Sequence, residues 1–339
     1  MRHVIGMDIG HSCPKTVWAS TQDPATHHND LFPSVVTRAV ALSDEPANFA
    51  AHLDVVTVRR TRFFVGKTAI IQGDAKSLTG LERDWVFSDE HDVLIMAALR
   101  RASAAGFQAD GSILVIGLPS EFYIAQRKEV ARRLAELIAT EYNQVHVKVQ
   151  QQPWGVLQTL ALQPDGFLAD GGAIDDQAWA VIDVGEFTTD VLVMREGQVV
   201  EKSRGSFVGA KAIKDRLAKA LAARSLPNGL VDLNDALQRG HVKQFSSWID
   251  VSQLVVEAAR PFEDEVLNEA SRLFGSLVEH LDGILLAGGG APLVKNAVAQ
   301  RYAHPNFVRV IPDSRIAIAE GFCRFALYMH HYQDKKIAA

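Results

Sequence analysis

The chain has 339 residues, of which 47% are hydrophobic and 22% charged, and its formal net charge is −5. This composition is typical of an ordinary globular protein with room for two cores. The slight acidity predicts no direct nucleic-acid partner, and no apolar run approaches the ~20 residues of a transmembrane helix, so no membrane partner is expected. With only Cys13 and Cys323, the chain has no disulfide framework, which favours a cytoplasmic location.

A β-hairpin around an acidic glycine loop is predicted at the start of the chain. Residues 4–7 are apolar and predict a buried strand, and 16–20 predict its partner. The loop between them, Asp8-Ile9-Gly10-His11-Ser12, contains a glycine, which lets the backbone turn tightly and present N–H groups to an anion. A carboxylate beside such a turn can hold Mg²⁺ through its waters. Taken alone, the pattern would equally suit a structural turn.

Strands and helices alternate from there to about residue 162. Residues 21–30 are polar and predict a solvated turn, with a metal site at His27 and His28 as the alternative. Ser120 stands where it can cap a long helix. Extended segments are predicted at 32–36, 55–65, 113–118 and 145–149, helices at 91–105, 120–142 and 151–162, and a loop or insertion at 43–54.

A second round of elements follows a glycine-containing segment, 163–177, which is the predicted linker. This second round of elements contains a second acidic loop, Asp183-Val184-Gly185-Glu186-Phe187-Thr188-Thr189-Asp190. The elements predicted here are strands at 179–183, 189–195, 198–204, 284–287 and 307–311 and helices at 208–223, 232–244, 251–279, 292–302 and 316–332. Two similar rounds of alternating elements predict an α/β fold with mixed sheets.

A third turn, Gly288-Gly289-Gly290, follows the apolar strand 284–287. By itself it would be only a flexible loop. Three such turns in this order, each at a strand end and with the hydroxyls of Ser12 and Thr188 beside them, are harder to explain structurally. The two acidic loops lie about 175 residues apart and predict two related halves that face one phosphate group.

This order of loops resembles the actin-like ATPase superfamily, which includes actin, sugar kinases and the heat-shock chaperone ATPases. The matching segments are Asp8 to Lys15 for the first phosphate loop, Asp183 to Asp190 for the second and Leu286 to Pro292 for the adenosine loop. The resemblance implies two actin-like, ribonuclease H-like α/β domains that flank a nucleotide cleft. Domain I would comprise 1–160 and 316–339, with the last helix packing back on it, and domain II would comprise 161–315.

Within the superfamily, four stretches resemble the ParM/StbA proteins of plasmid segregation. They are Phe32-Pro33-Ser34-Val35-Val36, Ile116-Gly117-Leu118-Pro119 with Glu121-Phe122-Tyr123, Val149 to Gly155, and Gly205 to Lys214. The chain departs from the family in two places. Gln152 stands where the family often has Glu, so a strong general base is missing. The first loop has His11 and Cys13-Pro14 where small or polar residues are usual, and Pro14 removes one backbone donor.

The resemblance also implies roles for individual residues. The implied nucleotide-binding residues are Gly10, His11, Ser12 and Lys15 at the β- and γ-phosphates, Gly185, Glu186 and Thr188 at the γ-phosphate, Lys211 and Lys214 beside adenosine, and Gly288, Gly289 and Gly290 at ribose and α-phosphate. The implied catalytic residues are Asp8, Asp183 and Gln152. Asp8 and Asp183 would position Mg²⁺ through water, joined or not by Asp190. Gln152 cannot remove a proton at neutral pH and would align the attacking water. For Lys15, Lys214 and Gln152, a purely structural role remains the alternative.

The implied function is an ATPase that binds ATP or ADP with Mg²⁺ and assembles with itself into a head-to-tail filament. A DNA-binding adaptor protein would link that filament to a plasmid. Two alternatives stay open: a small-molecule kinase of the same fold, and a nucleotide-binding adaptor. A kinase is expected to place an Asp base in the cleft, and residues 149–155 contain none. Two intact acidic loops argue against a complete loss of Mg-nucleotide binding.

Overall fold

A computed structural model describes residues 2–43, 52–73, 84–169, 174 and 176–337. The strands are β1 (His3–Ile9), β2 (Pro14–Ser20), β3 (Asp23–Leu31), β4 (Val36–Arg38), β5 (Val55–Val58), β6 (Thr61–Val65), β7 (Ile113–Leu118), β8 (His146–Gln151), β9 (Ala178–Val184), β10 (Thr188–Arg195), β11 (Gln198–Val199), β12 (Gly205–Val208), β13 (His241–Gln244), β14 (Ser247–Asp250), β15 (Gly283–Ala287) and β16 (Val308–Val310). The helices are α1 (Gly66–Gln72), α2 (Asp89–Ala104), α3 (Ser120–Ile138), α4 (Gln152–Ala161), α5 (Lys211–Ala222), α6 (Leu230–Arg239), α7 (Ser252–Phe274), α8 (Ala291–Arg301) and α9 (Ala317–Ile337).

The first half is built on a mixed five-stranded sheet in the order β3-β2-β1-β7-β8. β1 pairs antiparallel with β2 and parallel with β7, so it occupies the centre, and all seven of its residues are buried. Its side chains alternate between the two faces, as the period of a strand requires. Ile5 and Met7 pack with α2 and α3 on one face, and Val4 packs with α4 and α9 on the other.

The second half repeats this strand order. Its sheet runs β11-β10-β9-β15-β16, with β12 also paired to β10. β9 occupies the position of β1, because it pairs antiparallel with β10 and parallel with β15. One face of this sheet is covered by α5, α7 and α8 and the other by the helices it shares with the first half. The structure is therefore a two-domain α/β fold with two mixed sheets, as predicted.

Helices α4 and α9 lie between the two sheets and cross each other. α9 packs on β1, β2 and β7, so the last helix returns to the first half, while α4 also contacts β9 and β10. The crossing depends on two glycines, since a Cβ added at Gly321 would overlap the Gly155 carbonyl oxygen. Phe322 fills the space beside this contact and is fully buried.

Each half carries one small addition to its sheet. In the first half, β4, β6 and β5 form a three-stranded sheet over which α1 packs. In the second half, α6 leads into the β13–β14 hairpin, whose turn places Phe245 almost fully in solvent, 95% exposed. No helix in the described ranges is long and apolar enough to cross a membrane.

Four local predictions are wrong in whole or in part. The helix predicted at 232–244 ends at Arg239, and His241–Gln244 form strand β13. Of the turn predicted at 21–30, residues 23–30 belong instead to strand β3, because an edge strand with a solvated face tolerates polar side chains. Ser120 is not the N-cap of α3, which begins after Pro119, and its buried hydroxyl has no partner among the described residues. The strand predicted at 198–204 ends after two residues, where the Ser203 hydroxyl accepts from Val193 and donates to Val200.

Other sequence expectations fall partly outside the described ranges. Most of the loop predicted at 43–54 and part of the linker predicted at 163–177 lie there. The alternative of a metal site at His27 and His28 finds no support, because the described residues contain no group of three or more His, Cys, Asp or Glu side chains arranged to ligate a metal directly. His27 instead contacts Glu320 of α9 at 2.9 Å.

Candidate nucleotide cleft

The two acidic loops and the start of α4 meet at the carboxyl ends of the central strands. Open α/β sheets bind their ligands at this edge. The meeting point is a cavity of about 70 Å³. Of the residues predicted for the site, it is lined by Asp8, Gly10, His11, Ser12, Lys15, Gln152, Asp183, Gly185, Glu186 and Thr188. The structure thus places residues that were predicted from both halves of the chain around one cavity.

Asp8 is the centre of a polar group on the first loop. The β1–β2 register places it opposite Lys15, and the Lys15 ammonium pairs with Asp8 Oδ2 at 2.7 Å. The amide of Gln152 donates to Asp8 Oδ1 at 2.8 Å. Burial acts to lower the pKa of Lys15, but the pairing with Asp8 outweighs it and raises that pKa. Lys15 is therefore a fixed positive charge, and the side chain of Gln152 is held at the cleft by Asp8.

Two further carboxylates face Asp8 from the second loop. Asp183 and Asp190 stand opposite each other in the β9–β10 register, and both are buried. Burial and the neighbouring charges of Asp8 and Asp190 raise the pKa of Asp183 to about 7. Burial also raises the pKa of Asp190 to about 6, against the hydrogen bond from the Thr188 hydroxyl at 2.9 Å. The cleft thus concentrates more negative charge than Lys15 neutralises.

The backbone of the second loop is largely bonded within domain II. The Gly185 N–H donates to the Thr188 carbonyl, and the N–H groups of Ala210 and Lys211, at the start of α5, donate to Gly185 and Glu186. The Glu186 carboxylate pairs with Lys214 at 2.8 Å, so both belong to one side of the cleft. Of the three backbone bonds, only the first uses an N–H group of the loop; the other two use its carbonyls and tie the loop to the start of α5.

Lys211 is separated from the other predicted ligands. Its ammonium pairs with Asp215 one turn along α5, at 2.8 Å, and is about half exposed. Neither Lys211 nor Lys214 lines the cavity between the acidic loops. Both nevertheless stand on α5, whose first turn is bonded to the second loop.

The glycine turn after β15 packs directly on the second loop. Gly288 has φ +85°, and a Cβ there would lie 2.6 Å from Asp183 Oδ1. The Gly290 N–H donates to the Val184 carbonyl, and a Cβ at Gly290 would overlap the Val184 side chain. Only the middle residue has room, since a Cβ at Gly289 would meet just Arg315, at 3.9 Å. Glycine is therefore required at Gly288 and Gly290 for this turn to approach Asp183.

The sequence did not predict the aromatic part of the cleft. Trp85, His91 and Phe187 line the cavity together with the ring of His11. Trp85 and His91 stand more than seventy residues from either glycine loop with which they share the cavity, and no motif marks them. Phe187 lies within the second loop, but its loop position gave no reason to assign its side chain a role.

Comparisons with known proteins agree with the division of the fold into two halves. The family model described as the N-terminal domain of actin-like proteins matches residues 6–155. The model described as the C-terminal domain of the archaeal actin homologue, MreB-like, matches residues 181–300. The chain belongs to the actin-like superfamily. The two matches of this actin-like chain leave residues 156–180 between them, the part of the chain that connects the two sheets.

Solved actin-like structures share the fold over nearly their whole length. A 15-stranded ParM filament from Clostridium botulinum matches at 20% identity and a TM-score of 0.74, over 96% of this chain and 99% of that chain. The actin-like protein Alp7A matches at 14% identity and a TM-score of 0.75, over all of both chains. Bacillus thuringiensis ParM with ADP matches at 14% identity and a TM-score of 0.68, over 97% of this chain and 99% of that chain. A comparison with curated protein sequences finds no match.

Proposed function

We propose that this actin-like chain binds Mg-ATP between its two domains, hydrolyses it and assembles head to tail into filaments. The observation that carries the proposal is the meeting of Asp8 and Asp183, from the two halves, in one buried cavity. Carboxylates buried together are costly unless a cation compensates them. A Mg-nucleotide that touches both halves would compensate them and link the domains.

The residues of the cleft suit Mg²⁺ held through water. Asp8 and Asp183 supply hard carboxylate oxygens, which this ion prefers, and the surplus negative charge would favour it. Bound Mg²⁺ neutralises charge on the phosphates during phosphoryl transfer. Lys15 would add a point charge at the β- and γ-phosphates. Gln152, held by Asp8, would align the attacking water without taking its proton.

The domain limits proposed for this activity are 1–160 with 316–339 for domain I and 161–315 for domain II. The packing of α9 on β1 and α4 supports the assignment of the C-terminal helix to domain I. A cavity of about 70 Å³ is far below the ~300 Å³ of a typical small-molecule site, so the domains must part to admit ATP. Closure around the nucleotide would then present altered end surfaces to the next subunit.

Three observations support filament assembly linked to plasmid segregation. One of the similar structures is a ParM filament, and another is a ParM with ADP. The local matches to ParM-type sequences extend over both domains. Because the net charge is −5, a basic DNA-binding adaptor is a better bridge to DNA than this chain itself.

High-speed sedimentation tests the proposal. The purified chain should pellet above a critical concentration with Mg-ATP, and less with Mg-ADP at the same protein concentration. Magnesium chelation should abolish the difference. If the chain stays in the supernatant at all concentrations with ATP and with a non-hydrolysable analogue, the filament function is wrong. ATP consumption stimulated by a sugar or small acid would then favour a kinase.

A further inference from the structure

An aromatic cluster connects the two acidic loops across the cleft. The His11 ring stacks on Trp85 with centroids 4.0 Å apart and an interplanar angle of 27°. The His11 ring also contacts Phe187 of the second loop, with centroids 5.1 Å apart. His91 contacts Trp85 edge-on at 4.7 Å. These four side chains, here called the aromatic bridge, join domain I to domain II at the point where the loops face each other.

Three nitrogens of the aromatic bridge are buried and have no partner among the described residues. Within the described part of the chain, His11 Nε2, Trp85 Nε1 and His91 Nδ1 make no hydrogen bond. Buried polar atoms are nearly always bonded in proteins, and each exception calls for an explanation. Leucine or phenylalanine would join the loops at these positions without that cost. The nitrogens are therefore better explained by a second arrangement in which they acquire partners.

The position of the aromatic bridge indicates what that partner is. It borders the same cavity as Asp8 and Asp183, and the His11–Phe187 contact closes the gap between the loops. A phosphate that reaches from the first loop to the second must separate these two rings. Its oxygens are strong acceptors for the N–H of an imidazole. Burial lowers the pKa of His11 to about 4, so the ring is neutral at physiological pH and carries one N–H and one acceptor.

We propose that the His11 side chain distinguishes nucleoside triphosphates from diphosphates. The terminal phosphate displaces the ring from between Trp85 and Phe187 and accepts a hydrogen bond from it. A diphosphate ends at the first loop and leaves the aromatic bridge intact. The inference rests on nucleotide binding as proposed above. It concerns the His11 ring, a role separate from any contact of the loop backbone.

The two forms of the bridge make a switch between domains. A ligand shifts such an equilibrium only by its difference in affinity for the two forms. A triphosphate acts on the bridge through His11. A diphosphate makes no contact that differs between the closed and the open form of the bridge. Opening the bridge therefore transmits the presence of the terminal phosphate to Phe187 in the second loop. The Gly209 N–H, just before α5, donates to the Phe187 carbonyl and so links this loop to α5.

Calorimetry with a non-hydrolysable ATP analogue and with ADP, each with Mg²⁺, tests this inference. His11→Phe retains a stacked ring but has no N–H, so it should bind the analogue at least tenfold more weakly and ADP within about twofold of the wild type. His11→Ala removes the N–H and also the ring that has to be displaced, so its loss of triphosphate preference should be smaller than that of His11→Phe. The control is His28→Ala, which removes an exposed histidine that stacks on Trp18 at 5.8 Å, outside the cleft. It should change neither affinity.

Unchanged ADP affinity also shows that the variants are folded. If His11→Phe and His11→Ala lower both affinities equally, or neither, the inference is wrong while the proposed function stands. If the wild type binds neither nucleotide, the proposed function fails first. Tryptophan fluorescence gives an independent readout, because the analogue should change it, ADP should not, and Trp85→Phe should remove the change. A signal that persists in Trp85→Phe would contradict displacement of the ring from Trp85.

Discussion

The buried carboxylates of the cleft lower the stability of the folded protein, and they are the groups proposed to position Mg²⁺. Asp183 and Asp190 are paired across β9 and β10, and Asp8 faces them from the other half. Burial first, and mutual repulsion second, raise the pKa of Asp183 to about 7. The folded chain then binds a proton that the unfolded chain releases near pH 4. Its stability therefore falls as pH rises from about 4 to about 7.

Asp183→Asn should consequently stabilise the metal-free protein at pH 8. One pKa unit corresponds to about 1.4 kcal/mol, so we expect a gain on the order of 1 kcal/mol or more, which shrinks toward pH 5. The same substitution should remove the Mg²⁺ dependence of nucleotide binding. Thermal unfolding in a chelator at pH 5 and pH 8, followed by Mg-ATP titration, measures both effects.

The matched control is Asp215→Asn, which changes an exposed carboxylate on α5. It should leave the Mg²⁺ dependence of binding intact. If Asp183→Asn and the wild type have equal stability at both pH values, burial of the Asp183 carboxylate does not destabilise the protein. Unchanged Mg-ATP binding in Asp183→Asn would contradict its assignment as a metal-positioning residue.

At the scale of elements, the α4–α9 crossing depends on the absence of side chains. A Cβ at Gly321 would overlap the backbone of Gly155, which cannot move as a flexible side chain would. Gly321→Ala should therefore destabilise the protein by about 1–3 kcal/mol, the usual range for overpacking. Gly229→Ala is the control, because its methyl group would meet only the carboxylate end of Asp232, at 3.2 Å. Denaturant unfolding compares the two, and equal stabilities would show that the helices can shift apart.

Elements with a clear local signal were predictable from the sequence. The apolar run 113–118 is stopped by Pro119, and β7 has those limits. The strand at 23–30 could not be predicted because its polar side chains lie on an edge strand, where only the pairing with β2 reveals a strand. The glycine loops identified the cleft. The contact of His11 with Trp85 and Phe187 could not be inferred, since it depends on how three distant segments pack.

At the scale of the whole molecule, nucleotide turnover should set the lifetime of the assembly. Gln152 is held at the cleft by Asp8 and is proposed to align water. Gln152→Ala should slow phosphate release by on the order of 10²-fold or less and leave ATP affinity nearly unchanged, because loops and Mg²⁺ carry most of the electrostatic stabilisation. After a fixed amount of ATP is added, light scattering should therefore decay more slowly than in the wild type.

A phosphate-release rate equal to that of the wild type would assign the water-aligning role to another residue. Gln163→Ala provides a control amide that lies outside the cavity and should leave both release and scattering unchanged. Slower phosphate release without longer-lived scattering would show that disassembly does not wait for hydrolysis.

The matching strand orders have a geometric consequence for the helix crossing. α4 follows the last strand of the first sheet, β8, and α9 follows the last strand of the second, β16, so each helix is the counterpart of the other. A twofold rotation that superimposes one half on the other must exchange these helices, and its axis must pass between them. Gly155 and Gly321, early in their respective helices, are the residues through which these two counterpart helices touch, since a Cβ at Gly321 would overlap the Gly155 carbonyl oxygen. If the two halves arose by duplication, this contact would join two copies of one helical segment, backbone against backbone.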